Sequence, residues 1–372
     1  MLKDTGNKKK VVIITNIPAP YRVALYKVLQ ERQKEFEWHI VYSAAGNDER
    51  DWDANIDGLE NVHFLSSKRL GYERHAERQY YTLSKGIGKL LKQTGPDAII
   101  ASEYNATAIQ AFLWCKLNKV PYITLTDGTL FSEREFSRLK KMMRRLIIPN
   151  SSHCIASSTK SKELQLHYGA KEKDITVAYL TVDINKFGYK REKFNSRRLL
   201  YVGSLIYRKG LDLLLEAAAK VDKDYELTII GNGPEKETLE MKANYWGISD
   251  RVSFLSFLEG QELIKQYHQN DIFVFPTRED CFGLVINEAM AASMPVITSK
   301  YAEGSYDLVL DGENGIVFDP EDTNGLVTLL NGIIGNDQVV KEMGEKSYKH
   351  IQEFSLENTA DKYVEAITKV IE

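Results

Sequence analysis

Cysteine is scarce in this chain of 372 residues: Cys115, Cys154 and Cys281 are widely spaced and form no C-x-x-C pair. That excludes a disulfide framework and a zinc-ribbon site, and it fits reduced thiols in a cytosolic protein. No apolar run approaches the roughly 18 residues that span a bilayer. The basic KKK from Lys8 precedes VVIIT, but that run breaks at Thr15, Asn16 and Pro18, which fits a first β-strand better than a leader. No short-period repeat is present, nor a helix-turn-helix or aromatic-interleaved basic pattern, so no nucleic-acid partner is expected. The first turn, residues 15–22, lacks G-x-G-x-x-G, which argues against a nicotinamide site there.

What is present is ordinary globular material. Hydrophobic residues make up 43% and charged residues 27%, enough for two cores at this length. The net charge of −3 hides an asymmetry. Residues 1–190 hold 30 Lys/Arg against 21 Asp/Glu, and residues 191–372 hold 19 against 31. By charge alone, a basic N-terminal half suits an acidic partner: nucleic acid, an anionic membrane surface or a phosphorylated acceptor.

Short apolar β-branched runs alternate with helical patterns along the whole chain. Strands are expected at VVIIT (from Val11), WHIVYS (from Trp38), VHFL (from Val62), DAIIA (from Asp97), YITL (from Tyr122), CIAS (from Cys154) and ITVA (from Ile175). After residues 182–198, which have few core-like runs and resemble an interdomain link, the alternation restarts. RLLYVG (from Arg198), YELTII (from Tyr225), VSFL (from Val252), DIFVF (from Asp271), PVIT (from Pro295) and GIVF (from Gly315) follow. Continuous apolar strands separated by helices predict parallel sheets covered on both faces, hence an α/β chain with two doubly wound domains. The expected division is residues 1–190, residues 191–353, and a closing helix over 354–372 that crosses back to the first domain.

The densest chemistry lies in residues 275–296, FPTREDCFGLVINEAMAASMPV. A strand ends at Pro276, an acidic loop with Glu279 and Asp280 follows, and a helix opens at Gly283 and Leu284. Backbone N–H groups and the macrodipole at that helix end favour an anion such as a diphosphate. Glu288, about one turn in, can hold ribose hydroxyls. Earlier, Gly203 ends a strand where backbone can approach a ligand, and Arg208, Lys209 and Gly210 open the next helix. Cations and backbone donors together suit a diphosphate. Asp51 and Asp53 form an Asp-x-Asp, the pattern of a metal-dependent donor site, but in a polar loop well beyond its strand, which reads as chance.

Asp280 and Glu288, with seven residues between them and FGL (Phe282, Gly283, Leu284) and EAMA in register, resemble the E-x7-E element of the retaining family 4 glycosyltransferases. Asp280 stands where that family has Glu. VGSLIYRKG, from Val202, resembles the family's GR followed by KG, with Ser204 at the usual Arg position. The resemblance implies the GT-B architecture, two Rossmann-like domains facing a cleft, with the donor on the C-terminal domain and the acceptor on the N-terminal one. It implies that Gly231 and Gly233 border the nucleotide and that Gly304 and Ser305 border the diphosphate. Asp127, in a TDG turn, occupies the place where the family often has a His near the donor sugar. The expected catalytic group is therefore Asp280, Arg208, Lys209 and Asp127. Transfer would proceed with retention and without a metal or other cofactor, from a UDP- or GDP-sugar to a glycan or lipid-linked acceptor in surface polysaccharide or lipopolysaccharide synthesis. A sugar-nucleotide epimerase or hydrolase, and a non-catalytic nucleotide-sugar-binding protein, are the alternatives.

Residues 131–147, FSEREFSRLKKMMRRLI, place Phe131, Phe136, Leu139, Met142, Met143 and Leu146 near helical spacing among six Lys/Arg. Such a helix can lie on an anionic bilayer, at the inner face of a membrane, or bury its apolar stripe in the core as an ordinary surface helix. In the turn before the first helix, Tyr21 and Arg22 follow two prolines; Arg22 is either a ligand contact or a solvated first-turn residue.

Overall fold

The expected strands all form; continuous apolar runs such as Tyr122–Thr126 and Ile272–Phe275 are buried throughout, whereas Val62–Phe64 at a sheet edge is partly exposed. The computed structural model describes residues 8–44, 55–74 and 77–371. The chain divides into two units, Met1–Tyr179 with Leu356–Glu372, and Leu180–Ser355.

In the first unit the elements run β1 (Lys9–Thr15), α1 (Pro20–Arg32), β2 (Phe36–Tyr42), β3 (Val62–Phe64), β4 (Ser66–Arg74), β5 (Glu77–Lys85), α2 (Ile87–Thr94), β6 (Ala98–Ser102) and α3 (Ala106–Asn118). They continue with β7 (Tyr122–Thr126), α4 (Arg138–Ile147), β8 (His153–Ala156), α5 (Thr159–His167) and β9 (Ile175–Val177). Seven strands form a parallel sheet in the order β3-β2-β1-β6-β7-β8-β9. In β1, Val11, Ile13 and Val12, Ile14 alternate between two helical layers, so all four are buried. β4 and β5 pair antiparallel from Ser66↔Lys85 to Arg74↔Glu77 as a separate hairpin. No apolar run had marked it, since its strands are rich in charged and tyrosine residues.

The last helix of the chain, Leu356–Ile371, also belongs to the first unit. Its Leu356, Ala360, Tyr363, Ala366 and Ile367 recur every three or four residues and pack on Ile13, Leu29 and Ile155.

The second unit runs α6 (Ile184–Phe187), β10 (Arg198–Val202), α7 (Leu211–Ala219), β11 (Glu226–Ile230), α8 (Lys236–Tyr245), β12 (Val252–Leu255), α9 (Gly260–Gln269) and β13 (Ile272–Phe275). It ends with α10 (Leu284–Ala291), β14 (Val296–Ser299), α11 (Ser305–Leu308), β15 (Gly315–Phe318), α12 (Thr323–Ile333) and α13 (Asp337–Ile351), and Leu356–Ile371 above is α14. Its six strands are parallel in the order β12-β11-β10-β13-β14-β15. The chain winds outward from β10 in one direction and from β13 in the other. The β10/β13 pair is therefore the switch point, and ligands of such sheets gather beyond the strand ends there.

Residues 182–198, which follow directly on the division between the two units, are largely exposed but are anchored to the second unit at Arg191. Arg191 is buried and reaches Asp271 at 3.0 Å, and it donates to the carbonyls of Tyr267 and Ala292 at 2.9 and 3.2 Å. Asp271, fully buried, also accepts from Arg198 Nε at 2.7 Å. Removing the carboxylate strands a buried guanidinium, so Asp271→Ala should lower the stability of the second unit by about 3–5 kcal/mol. A urea titration would read this, and a loss under about 1 kcal/mol would mean that the pair acts as an exposed one.

Candidate functional site

Two loops leave the switch point of the second unit side by side. After β10, residues 203–206 lead into a 3-10 turn, Tyr207–Lys209, and then into α7 at Gly210. After β13, residues 276–283 lead into α10. Gly210 has φ 67°, and a Cβ there would collide with the carbonyl oxygen of Pro276. Only glycine combines that conformation with so close an approach.

A lattice of bonds then joins the loops. The Arg278 N–H and the Thr277 hydroxyl donate to the Arg208 carbonyl at 2.8 and 3.1 Å, and Arg208 Nη1 donates to the Glu279 carbonyl at 2.8 Å. Arg278 forks onto Asp212 at 2.8 and 3.0 Å and lies over the Tyr207 ring at 4.1 Å. Neither Arg278 nor Asp212 stood out in the sequence, because nothing in spacing joins residues 66 apart.

The Lys209 ammonium donates to Asp280, and both side chains are largely buried. Burial alone would raise the Asp280 pKa, but Lys209, Arg208 and the Phe282 N–H, which donates at 3.1 Å, together hold it below the usual carboxylate range. Asp280 is fixed by its backbone as well: its N–H donates to the Tyr301 carbonyl at 2.9 Å and its carbonyl accepts from Glu303 at 3.0 Å. Gly304 follows, donating to the Phe282 carbonyl at 3.1 Å, and a Cβ on it would strike that carbonyl. Ser305 is buried, and its hydroxyl has no hydrogen-bond partner.

Gly283 caps α10 at φ 87° without any side-chain cap, so the leading N–H groups of the helix, from Leu284 on, have no side-chain acceptor. One turn in, Glu288 is half-buried and accepts from the Tyr267 hydroxyl at 2.6 Å. Burial raises its pKa to about 7 against the lowering effect of Tyr267. Tyr267 lies on α9, 21 residues earlier, and no sequence signal marked it.

On the other side of the β10 loop, Gly203 and Gly231 touch backbone to backbone, as do Gly233 and Leu205. Ser204 is exposed and supplies its carbonyl to the Tyr201 hydroxyl at 3.2 Å. Thus Gly203, Ser204, Arg208, Lys209, Gly231, Gly233, Asp280, Phe282, Gly283, Leu284, Glu288, Gly304 and Ser305 all lie on loops and helix ends at one end of this sheet.

Asp127 belongs to the first unit. Its carboxylate accepts from Arg22 Nη2 at 2.7 and 2.6 Å and from Ser157. Arg22 is buried and donates also to the Tyr363 hydroxyl at 3.0 Å. It is neither solvated nor free, but ties the first turn to the turn after β7 and to α14. Asp51 and Asp53 lie outside the described residues.

Two parallel sheets covered by helices, the second wound outward from one switch point, define a pair of Rossmann-like units, and the comparisons with known proteins find the same fold. Residues 185–350 match the family model described as glycosyl transferases group 1, and residues 23–186 match glycosyltransferase family 4. The chain belongs to these GT-B glycosyltransferases. An uncharacterized glycosyltransferase of Haemophilus influenzae is 23% identical over 82% of this chain and 85% of its own length. The O-antigen chain mannosyltransferase C of Escherichia coli is 26% identical over 61% of each chain, so this chain spans only about three fifths of that relative. The crystal structure of Anabaena Alr3699/HepE in complex with UDP shares the fold, with a TM-score of 0.77 at 18% identity, covering 97% of this chain and 100% of that one.

The Glu288 shift has a definite sign. An acid whose folded pKa lies above its unfolded value of about 4.3 binds more protons in the native state, so its contribution to stability falls as pH rises from there to about 7. Tyr267→Phe removes a hydrogen bond that favours the carboxylate. The Glu288 midpoint should then move above about 7 in carbon-13 NMR of labelled glutamate, and an unmoved midpoint would mean that Tyr267 does not tune it.

Proposed function

We propose that this glycosyltransferase moves a sugar from a UDP- or GDP-sugar to a glycan or lipid-linked acceptor, with retention of anomeric configuration and without a metal. The observation that carries the reading is the clamp of Arg208 and Lys209 beside the uncapped start of α10. Anchoring a diphosphate there uses the cations, the first-turn N–H groups of α10 and the Gly304–Ser305 backbone, with the unpartnered Ser305 hydroxyl as a further donor. Glu288 would accept from the ribose hydroxyls, and Gly231 and Gly233 would border the nucleotide.

In the transfer, the bond from the anomeric carbon to the β-phosphate oxygen breaks and a bond to the acceptor hydroxyl oxygen forms. The hydroxyl proton leaves with the diphosphate or to solvent. Charge grows on the departing diphosphate, where Arg208, Lys209 and the helix dipole stabilise it more in the transition state than in the ground state. Asp280 holds Lys209 in position and remains ionised, which lets it orient sugar hydroxyls or balance positive charge at the anomeric carbon. For Asp127 the proposal is limited to a sugar contact through a lone pair left by Arg22 and Ser157. An O-antigen transferase among the relatives supports a surface-polysaccharide setting, and the UDP complex among the structural neighbours supports a nucleoside diphosphate donor.

Calorimetry with UDP and GDP in EDTA tests the donor site. One diphosphate should bind without metal, Lys209→Ala should weaken it by about 1.5–3 kcal/mol and Glu288→Ala by about 1–3 kcal/mol. Binding of neither nucleotide, or no effect of either substitution, overturns the donor assignment. Product anomer analysis by NMR then decides retention.

A further inference from the structure

The helix α4 is inside out. Its sequence, RLKKMMRRLI, contains no acid, and its start is fixed at Arg138 by Ser137, whose hydroxyl caps the Lys140 N–H. Residues 131–136, expected to belong to the helix, instead form turns held in part by Thr129 and Ser132. An ordinary surface helix would turn its leucines inward. Here Leu139, Met142 and Leu146, at i, i+3 and i+7, are 64%, 56% and 50% exposed, with Arg138 and Arg145 exposed beside them.

The inward face instead carries a cation. Arg144 is buried, forms a 2.6 Å ion pair with buried Glu133, and lies over the rings of Tyr104 and Phe136 at 4.5 and 4.8 Å. With Ile147 and Met143 also turned inward, this pair fixes the rotation of the helix, so the outward apolar row is set by the core. A second helix on the same core repeats the pattern. α3 packs into the same core through Phe112 and Cys115, has no acid, and holds Leu113 and Leu117 at 53% and 85% exposure beside Lys116.

We propose that this face of the first unit docks on an anionic lipid bilayer, with Leu139, Met142 and Leu146 inserted at the headgroup boundary and Arg138, Lys141 and Arg145 on the lipid phosphates. An apolar row flanked by basic residues is the composition that binds in the plane of such a surface. A second copy of the chain fits it poorly, because a two-fold pairing of this face brings the Arg138 and Arg145 charges of one copy against those of the other. The inference stands on the first unit alone and is independent of the donor-site reading.

Co-sedimentation with vesicles of mixed phosphatidylglycerol and phosphatidylcholine, against phosphatidylcholine alone, tests it. The protein should partition onto the anionic vesicles at least about tenfold more strongly, and salt should weaken the binding. The triple substitution Leu139→Gln, Met142→Gln, Leu146→Gln should lose about tenfold or more. Arg138→Gln with Arg145→Gln should lose the preference for anionic lipid. All of these side chains are exposed, and an unchanged melting temperature confirms folding. No binding by the wild type, equal binding by the triple variant, or a lipid-indifferent dimer that the triple variant splits would each overturn the proposal.

Discussion

The approach of Gly210 to the Pro276 carbonyl is the constraint on which the second unit's site depends. The two loops at the β10/β13 switch point touch through backbone, and a side chain at residue 210 would separate them. Once they touch, the Arg208 carbonyl can accept from Arg278 and Thr277, and Arg208 and Lys209 can reach Glu279 and Asp280. The cations therefore sit in a fixed place before any anion arrives. In the proposed transfer, charge preorganised in this way would not have to be rearranged during the reaction. Arg278, forked on Asp212, braces the lattice from behind.

The first unit uses a buried guanidinium in a comparable way. Arg22 joins Asp127 and Tyr363, so three turns and helices distant in sequence meet at one cation. In the second unit Arg191 does the same for the segment before β10, α9 and the end of α10. A guanidinium suits this duty because its donors point in several fixed directions, and a buried arginine without such partners would be costly.

Much of this organisation was legible in the sequence, for identifiable reasons. Parallel strands buried on both faces are continuous apolar runs, so β1, β6, β7 and β13 declared themselves. The loops around Lys209, Asp280 and Glu288 were visible because their glycines, cations and acids are crowded at short range in the sequence. Tyr267, Arg278 and Arg191 were not, because each acts on a partner 21 or more residues away through the tertiary fold. α4 shows a different limit. Its periodicity identified a helix and an apolar stripe but not which side faces in, since the choice is made by Glu133 and Tyr104 from outside the helix.

The two acids of the seven-residue spacing differ in a way that spacing cannot convey. Asp280 and Glu288 are both half-buried, and that burial alone would push both pKa values up. Asp280 has Lys209 and Arg208 beside it and stays charged. Glu288 has a neutral tyrosine hydroxyl, too weak an offset, and titrates near about 7. Environments that push two carboxyls apart give them different chemical duties. The acid at the loop is a permanent counter-charge that keeps Lys209 in place, whereas the acid in the helix can change protonation near neutral pH. A hydroxyl-bearing ligand that donates to Glu288 would favour its charged form, so ligand binding at this helix and proton release from it are linked.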